Sequence, residues 1–372
     1  MLTVLHIIES LADFGGTPRK LLYLSKYLDP SVCRQIFLCY LPSPLKDNFE
    51  QSGAVVECID STSPLLIIRS ALRLMQAYKV DAVCTHFTRP LVVGYLAALM
   101  KKIPVIHNEH CSAHYRQGFG RRASRFILPR VQVTVCNSRH TLRSVEKEFN
   151  VSGDRLVVVH NPVEKRVSTM SRATARQLFE ITDDELVVGH IGGMIPQRDQ
   201  ATLIEAFARF NRQYSNSRLI LIGDGPMRNS LEQLALKRDL GGKVEFVGYS
   251  NKIGEYLDAF DIYANPTLDE GFGIAVVEAM LTGLPVVLSD KGAHPELIEN
   301  GVSGILYRGG DSDSLAQALC GLAASSEMRS CFGTAAVARA SVCFQPSNFA
   351  VGYYTQIQMA IESYARLSRK ES

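Results

Sequence analysis

The chain has 372 residues, more than one hydrophobic core of ordinary size can organise, so we expect two domains. Hydrophobic residues make up 46% and charged residues 21%, a balance that excludes a disordered or fibrous chain. The net charge of +3 is unevenly placed: 22 Lys and Arg against 13 Asp and Glu give +9 over residues 1–166, whereas 18 against 24 give −6 over the rest. We expect the first half to face an anionic partner, although an uneven solvated surface would show the same pattern.

The nine cysteines are scattered and form no CxxC pair, which gives no support to a zinc ribbon or a redox motif. Several lie in apolar runs, so we expect buried, reduced thiols in the cytoplasm. The N-terminus MLTVLHIIES lacks the basic region and cleavage site of a signal peptide. The longest apolar segment, Leu91 to Met100, is shorter than the roughly 20 residues of a membrane span. We therefore expect a cytoplasmic protein, and peripheral binding to the inner face of the cell membrane is compatible with this expectation.

Short β-branched runs alternate with amphipathic stretches along the whole chain. The runs are TVLHIIE, RQIFLCY, AVVECI, DAVCTH, IPVIHN, VQVTVC and RLVVVH in the first half, and LVVGHIG, RLILIGDG, KVEFVGY, DIYANP, PVVLSD and GILY in the second. Apolar strands joined by helices predict parallel sheets covered on both faces, so the two series predict two Rossmann-like, doubly wound α/β domains. We place the boundary after Asn161-Pro162 and assign 1–165 to the first domain and 166–349 to the second. A helix over 350–372 is expected to pack back on the first domain.

Two segments of the first half carry candidate site residues. ADFGGTPRK follows the first strand and supplies Gly15 and Gly16, which a plain strand-to-helix turn would also explain. HNEHCSAH follows the fifth strand and supplies His107, His110 and His114. Metal binding is the alternative for these histidines, but their spacing matches neither HExxH nor a known zinc pattern.

The segment SAHYRQGFGRRASRFILPR is basic and amphipathic. Its arginines are Arg116, Arg121, Arg122, Arg125 and Arg130, and they surround the apolar side chains of Tyr115, Phe119, Phe126 and Ile127. An anionic membrane surface or a lipid diphosphate would suit this pattern, and a solvated segment without a partner is the alternative. Nucleic acid is not expected, because no nucleic-acid-binding module accompanies the charge.

The stretch DEGFGIAVVEAM, residues 269–280, joins a predicted strand to a predicted helix. Gly271 and Gly273 lie where the loop enters the helix, and a helix start with close backbone access is an anion site that suits a diphosphate. Glu278 falls about one turn into the helix and Glu270 lies on the other side of the glycines. Two carboxylates could also form a glycosidase pair, which needs them on opposite sides of one bond. That use leaves the glycines without a role.

The ordered motifs of the second half resemble the C-terminal domain of the family-4 retaining, nucleotide-sugar-dependent glycosyltransferases. These motifs are GHIGGMIPQRDQATLIEAF, LILIGDGPMRNSLE, VEFVGYSNKIGEYLDAFDIYANPTLDEGFGIAVVEAMLTGLPVVLSD and GAHPELIENGVSGILY. The first half adds the glycine-rich segment and HNPV, which is similar to the family's hinge segment. The resemblance implies the GT-B fold, in which two Rossmann-like domains face each other across a cleft. GDGPM alone would hint at a dinucleotide site, but the third glycine of that fingerprint is missing.

The resemblance also implies roles for individual residues. Glu270 would face the transferred sugar, Glu278 would hold the ribose hydroxyls, and His110 would contact the sugar. The backbone N–H groups of Gly271, Phe272, Gly273 and Ile274, with the close contact at Gly16, would hold the diphosphate. No metal is expected, and the donor would be a UDP- or GDP-sugar.

One position departs from the family pattern. Where the family usually has an arginine and, five residues later, a lysine, this chain has Gly193 and Arg198. Arg198 can bind phosphate, but Gly193 removes one cation. We expect Arg19 or Lys20 of the GGTPRK loop to replace the missing cation. With Gly15, these residues are assigned to the acceptor side.

The sequence thus predicts transfer of a glycosyl unit from a nucleotide sugar, with retention, to a carbohydrate or lipid-linked acceptor. Two alternatives stay open. A nucleotide-sugar epimerase of the same fold would convert the donor without an acceptor. A weakly active partner subunit of a glycosyltransferase complex would explain the loss of a cation at Gly193.

Overall fold

The computed structural model describes residues 1–12, 16–166, 170–250 and 252–368, and the chain divides into two compact units. The first unit ends at Pro162 and is joined by the C-terminal segment from Pro346, and the second is Val163–Gln345. The first unit therefore ends three residues before the predicted position, and the returning segment begins at Pro346 rather than at residue 350. Gly15 lies outside the described residues.

The first unit is built on a parallel sheet of seven strands. These strands are β1 (Leu2–Ile8), β2 (Cys33–Cys39), β3 (Val55–Cys58), β4 (Ala82–His86), β5 (Val105–Glu109), β6 (Val133–Cys136) and β7 (Leu156–Val158). Their order in the sheet is β3-β2-β1-β4-β5-β6-β7, and every pairing is parallel. The reversal of strand order beside β1 is the switch point typical of a doubly wound sheet.

Helices cover both faces of this sheet. They are α1 (Gly16–Tyr27), α2 (Lys46–Gln51), α3 (Pro64–Tyr78), α4 (Thr88–Lys101), α5 (Gly118–Ile127) and α6 (Arg139–Phe149), with short 3-10 helices at Ala113–Tyr115, Leu128–Arg130 and Gly153–Arg155. Alternate residues of a strand enter different cores: Val83 packs in one cluster, whereas Ala82 and Cys84 pack in the other. Burial on both faces is why this strand is apolar throughout rather than alternating.

The second unit repeats the plan with six strands. They are β8 (Leu186–Ile191), β9 (Ser217–Ile222), β10 (Val244–Gly248), β11 (Ile262–Asn265), β12 (Val286–Ser289) and β13 (Ile305–Tyr307), in the order β10-β9-β8-β11-β12-β13. The helices are α7 (Arg172–Gln177), α8 (Gln200–Gln213), α9 (Arg228–Lys237), α10 (Ile253–Leu257), α11 (Ile274–Thr282), α12 (His294–Leu297), α13 (Ser312–Ala323) and α14 (Ser326–Cys343), with a 3-10 helix at Pro196–Arg198. Each predicted run of the sequence overlaps one of the thirteen described strands, so the predicted α/β class is confirmed.

The last helix, α15 (Pro346–Ser368), belongs to the first unit and packs against α1. Its Phe349, Tyr353 and Ile357 are buried in the same cluster as Phe37 of β2. Among the described residues no helix is long and apolar enough to cross a bilayer.

The sequence had led us to expect buried cysteines, but the structure shows that only some of them are buried. Cys58, Cys111, Cys331 and Cys343 are exposed, and Cys320 is half-buried. Cys58 ends β3 at the edge of its sheet, Cys111 lies in the segment after β5, and Cys331 and Cys343 lie on α14.

Candidate functional site

The start of α11 is the centre of the predicted donor site. Gly273 caps this helix with a φ of +101°, in the left-handed region that favours glycine, and no side chain caps the helix. A Cβ at Gly273 would lie 3.1 Å from Leu297 Cδ1 and 3.5 Å from Glu270 Cγ. Because the first N–H groups of a helix have no partner within it, this start can bind an anion.

The backbone of Glu270 is held by the segment after β12. Ala293 N–H donates to the carbonyl of Glu270 at 2.9 Å. Gly292, with a φ of +60°, approaches so closely that a Cβ there would lie 2.5 Å from the backbone nitrogen of Glu270. The loop before α11 is therefore fixed by close backbone packing, and the sequence motifs did not indicate this role for Gly292.

Glu270 and Arg198 form an ion pair at this helix start. The arginine ends the 3-10 helix that follows β8, and its Nη1 also lies 3.4 Å from Thr267 Oγ1. Both side chains keep some exposure, with 27% for Arg198 and 14% for Glu270. The structure thus brings together two predicted site residues that are 72 positions apart in the chain.

Glu278 has a partner that the sequence did not predict. Its carboxylate accepts a hydrogen bond of 2.6 Å from Arg166 Nε, and only 6% of its side chain is exposed. Arg166 lies in the polar segment EKR, residues 164–166, which follows HNPV. Its basic charge close after HNPV was the one signal that could have singled it out.

Phe272 contributes packing as well as backbone. Its side chain is 2% exposed and meets the ring of Phe344 edge-on, with centroids 5.4 Å apart. This contact anchors the loop and buries the ring, so any role in binding the donor falls to the Phe272 backbone.

The two glycine-rich turns after β8 and β9 pack against each other. Gly192 N–H donates to Ile222 O at 2.9 Å and Met194 N–H donates to Asp224 O at 2.8 Å. A Cβ at Gly223 would lie 2.1 Å from Gly192 O, so this position requires glycine. The glycines of GDGPM are therefore explained by loop packing, without a dinucleotide.

Gly193 is in a different situation. A Cβ there would meet only Asp224 O, at an ordinary contact distance of 3.7 Å. The position can accept a side chain, so steric crowding does not explain why a glycine replaces the arginine here.

A chain of three histidines crosses the first unit. His6 Nδ1 and His86 Nε2 are 3.2 Å apart, and His86 Nδ1 and His110 Nε2 are also 3.2 Å apart. Burial lowers the pKa of His6 to about 3 and those of His86 and His110 well below the ordinary value. The imidazoles are therefore neutral at pH 7, and each shares a hydrogen bond with the next, so the tautomers of the three are coupled.

His107 belongs to a separate buried group. Its Nδ1 lies 2.9 Å from Thr85 Oγ1, and Arg116 Nη2 is 2.7 Å from Glu109 Oε2 beside it. Burial lowers the pKa of His107, although Glu109 opposes the shift. His114 is exposed and packs on Tyr115. Within the described ranges, no three His, Cys, Asp or Glu side chains are grouped to hold a metal ion.

The residues of GGTPRK that the structure describes lie in a helix, so the prediction of a loop is wrong for Arg19 and Lys20. Gly16 is the first residue of α1. Lys20 is 1% exposed, with its Nζ 5.3 Å and 5.7 Å from the ring centroids of Phe349 and Tyr353. Burial lowers the pKa of this amine to about 8. Apolar side chains enclose Lys20 because α15 covers α1, which sequence order could not show.

The basic segment 112–130 does not form one exposed surface. Arg116 is buried against Glu109 and lies 5.4 Å from the Phe149 ring centroid, and Ile127 is in the core. Arg121 pairs with Glu148 at 2.5 Å. The exposed apolar side chains of α5 are Phe119 and Phe126. Arg116 and Ile127 therefore do not belong to the surface that this segment could present to a membrane or a lipid diphosphate, and such a partner stays a prediction.

Models of known protein families match both the first and the second part of the chain. The model of the family "Glycosyl transferases group 1" matches residues 171–339, and that of "Glycosyltransferase Family 4" matches residues 14–167. The chain belongs to the family-4 glycosyltransferases. Enzymes of this class transfer a sugar from a nucleotide sugar, and this activity is assigned to the chain.

Individual relatives are similar over most of their length. A putative glycosyltransferase of Bacillus subtilis, EpsF, is 24% identical, with 77% of this chain and 79% of the relative covered. The Escherichia coli enzyme named UDP-Gal:alpha-D-GlcNAc-diphosphoundecaprenol alpha-1,3-galactosyltransferase is 25% identical, with coverage of 76% and 78%.

A solved structure shows the same fold. Anabaena HepE in complex with UDP-glucose superposes with a TM-score of 0.84 at 23% identity, covering 96% of this chain and all of that one. The family-4 glycosyltransferase described here therefore has the GT-B fold, as predicted.

Proposed function

We propose that this glycosyltransferase transfers a sugar from a UDP-sugar to a lipid-linked or carbohydrate acceptor, with retention of anomeric configuration. The observation that carries the proposal is the Arg198–Glu270 ion pair at the start of α11. The UDP donor is supported by the UDP-Gal in the name of the Escherichia coli relative and by the UDP-glucose complex of HepE. The name of the first also supports a lipid diphosphate acceptor.

Stabilising the leaving diphosphate is the first task of the site. The backbone N–H groups from Gly271 to Ile274 and the guanidinium of Arg198 supply positive charge where the leaving group gains negative charge. A guanidinium has five N–H donors, so Arg198 can keep Glu270 on one edge and bind a phosphate oxygen with the other. The same two groups would also hold the donor before reaction.

The role of Glu270 follows from its partner. A carboxylate bound to a guanidinium is suited to orienting the sugar hydroxyls and to stabilising positive charge at the sugar ring, and less suited to attacking it. A phosphate oxygen of the donor would then accept the proton of the acceptor hydroxyl. The new bond would form on the face that the diphosphate leaves, which gives retention.

Two further contacts complete the proposal. Glu278, held by Arg166, would bind the ribose hydroxyls of the donor. His110 would contact the transferred sugar as a neutral hydrogen-bonding group, since burial keeps its pKa low. His86 fixes which nitrogen of His110 carries the proton.

The lipid-linked acceptor suggests contact with a membrane through α5. Phe119 and Phe126 are exposed and lie seven positions apart, which places them on one side of the helix, with Arg122 and Arg125 exposed beside them. We expect the protein to float with phosphatidylglycerol vesicles and the double variant Phe119→Ser, Phe126→Ser to float at least fivefold less. Equal flotation of the variant, or none by the parent, would remove membrane contact from the proposal.

A thermal-shift comparison of UDP, GDP and ADP tests the donor. A ligand that binds only the native protein raises its apparent stability by RT ln(1 + [L]/Kd), so UDP at about 100 times its Kd should add about 2.7 kcal/mol. A response to GDP or ADP alone would contradict the UDP assignment.

Incubation of UDP-sugar with the purified protein alone separates the alternatives. Conversion of the sugar without any acceptor would indicate an epimerase. Bound donor without turnover, even with lipid-linked acceptors present, would favour the partner subunit.

A further inference from the structure

Two cysteines occupy matching positions at the ends of neighbouring strands in the first unit. Cys39 ends β2 and Cys58 ends β3, and the register of the parallel pair places their Cα atoms opposite each other. Ile59 N–H donates to Cys39 O at 3.0 Å, so the ladder continues just past the pair. The backbone therefore fixes the two thiols as neighbours.

Both thiols project from the same face of the sheet. Side chains of residues opposite each other in register share a face, and Cys39 packs in the cluster that holds Phe37 and Val56, each two positions before one of the cysteines. Neighbouring strands are about 4.8 Å apart. A disulfide spans Cα separations of about 4.4–6.8 Å, so the two sulfurs can be joined without moving the strands.

The two members of the pair differ in accessibility. Cys39 is 0% exposed, whereas Cys58 is exposed on β3, the strand at the edge of the sheet. An oxidant can therefore reach Cys58 first. Cys39 is its register partner on β2 and is buried.

The surroundings favour a thiolate at Cys58. The hydrogen bond from the Cys39 thiol, with a smaller effect of the Lys46 ammonium, lowers the pKa of Cys58. The same hydrogen bond and burial raise the pKa of Cys39. The thiolate is the nucleophilic form of cysteine, so the pair has one attacking and one resolving thiol.

We propose that Cys58 is a site of reversible oxidation by hydroperoxides, with Cys39 as its resolving thiol. The Cys58 thiolate attacks one oxygen of hydrogen peroxide, the O–O bond breaks, and the released hydroxide takes up a proton to become water. The Cys39 thiol then attacks the sulfur of the Cys58 sulfenic acid, loses its proton, and displaces the hydroxyl group as a second water. Two thiols and one peroxide thus give one disulfide and two waters, and a dithiol reductant reverses the change.

Differential alkylation and mass spectrometry test the proposal on the full-length protein. After treatment with about one equivalent of hydrogen peroxide we expect a loss of two free thiols and, after trypsin, the peptides 35–46 and 47–69 joined by a disulfide. Dithiothreitol should separate them. In Cys39→Ser the same treatment should leave a sulfenic acid at Cys58 that dimedone traps.

The exposed Cys331 and Cys343 on α14 are the matched controls, because neither has a cysteine as strand neighbour. In the unmodified protein at pH 7, we expect iodoacetamide to alkylate Cys58 at least fivefold faster than either control. The alkylation comparison needs no variant, so it remains decisive if Cys39→Ser does not fold. Alkylation of Cys58 no faster than the controls, or peroxide treatment that leaves peptides 35–46 and 47–69 unlinked, would overturn the proposal.

Discussion

The two sheets differ in how they handle charge at the carboxyl ends of their central strands. In the first unit, His6 and His86 are fully buried and neutral, and the nearby ammonium of Lys20 is enclosed by aromatic rings. In the second unit, Arg198 and Glu270 keep their charges at a partly exposed helix start. The first unit therefore buries neutral imidazoles beside enclosed charges, whereas the second unit keeps its ion pair partly exposed.

The charged groups and the neutral imidazoles respond differently to a charged ligand. Charged groups that remain partly solvated can exchange partners when a charged ligand arrives, because little desolvation has to be reversed. Buried neutral imidazoles cannot respond to charge in that way, but they fix the direction of a hydrogen bond. We therefore expect substitutions in the second unit to affect catalysis most, and those at His6 and His86 to affect stability and its pH dependence.

The largest effect should follow Arg198→Ala. Loss of the guanidinium removes stabilisation of the leaving diphosphate and leaves Glu270 without its partner, so kcat/KM for the UDP-sugar should fall about 100-fold, or about 2.7 kcal/mol. Arg238→Ala is the matched control, since Arg238 pairs with Glu205 on the exposed surface of the same unit. If kcat/KM falls less than threefold in Arg198→Ala, the Arg198–Glu270 pair does not take part in the reaction.

Glu270→Gln should lower kcat by tenfold or more, about 1.4 kcal/mol, with a change in donor KM below threefold. The amide keeps the shape of the side chain but loses the negative charge that stabilises the sugar ring in the transition state. Steady-state kinetics of Glu205→Gln provide the comparison on the surface. If donor KM rises while kcat is unchanged, Glu270 binds the donor without taking part in the chemical step.

Acid should destabilise the first unit through His6. Burial lowers its pKa from 6.5 to about 3, so between these values the unfolded chain binds the extra proton, and stability falls as the pH falls. Each such histidine contributes about 1.4 kcal/mol per pH unit in this window. In urea unfolding at pH 7 and pH 5, His6→Gln should lose less stability between the two values than the parent. An unchanged pH dependence in His6→Gln would contradict the assignment of a buried neutral imidazole.

The smallest effect is expected for Gly193→Arg. The position has room for a side chain, and an added cation next to the diphosphate should strengthen donor binding by up to about 1 kcal/mol, or fivefold, as for a partly exposed ion pair. Titration with UDP would measure this, with Gly193→Ala as the control that adds a Cβ without charge. Weaker UDP binding by Gly193→Arg would show that the donor site needs no further cation at this position.

Much of the fold and part of the site could be predicted from the sequence. Each run of β-branched residues marks a strand because burial on both faces demands apolar side chains throughout. Gly271 and Gly273 mark the loop entering α11 because only glycine tolerates the conformation found at Gly273. These are local properties, and a sequence records local properties directly.

The partners of the charged residues could not be predicted in this way. The pairing of Arg166 with Glu278 joins residues 112 positions apart, and the burial of Lys20 depends on a helix that returns from the end of the chain. The buried ion pair of Arg116 with Glu109 equally depends on how segment 112–130 folds back on β5. In each case the composition of the segment indicated a charge, and its environment came from a distant part of the chain.

The sequence by itself determined the two series of parallel strands, the glycine-rich helix start and the acidic residues on either side of it. Only the tertiary structure decided which charges meet, which histidines are linked, and that Cys39 and Cys58 stand side by side. The physical reason is that hydrophobic patterning and backbone preference act over a few residues. Ion pairs, burial and the pKa of a group depend instead on every atom packed around it.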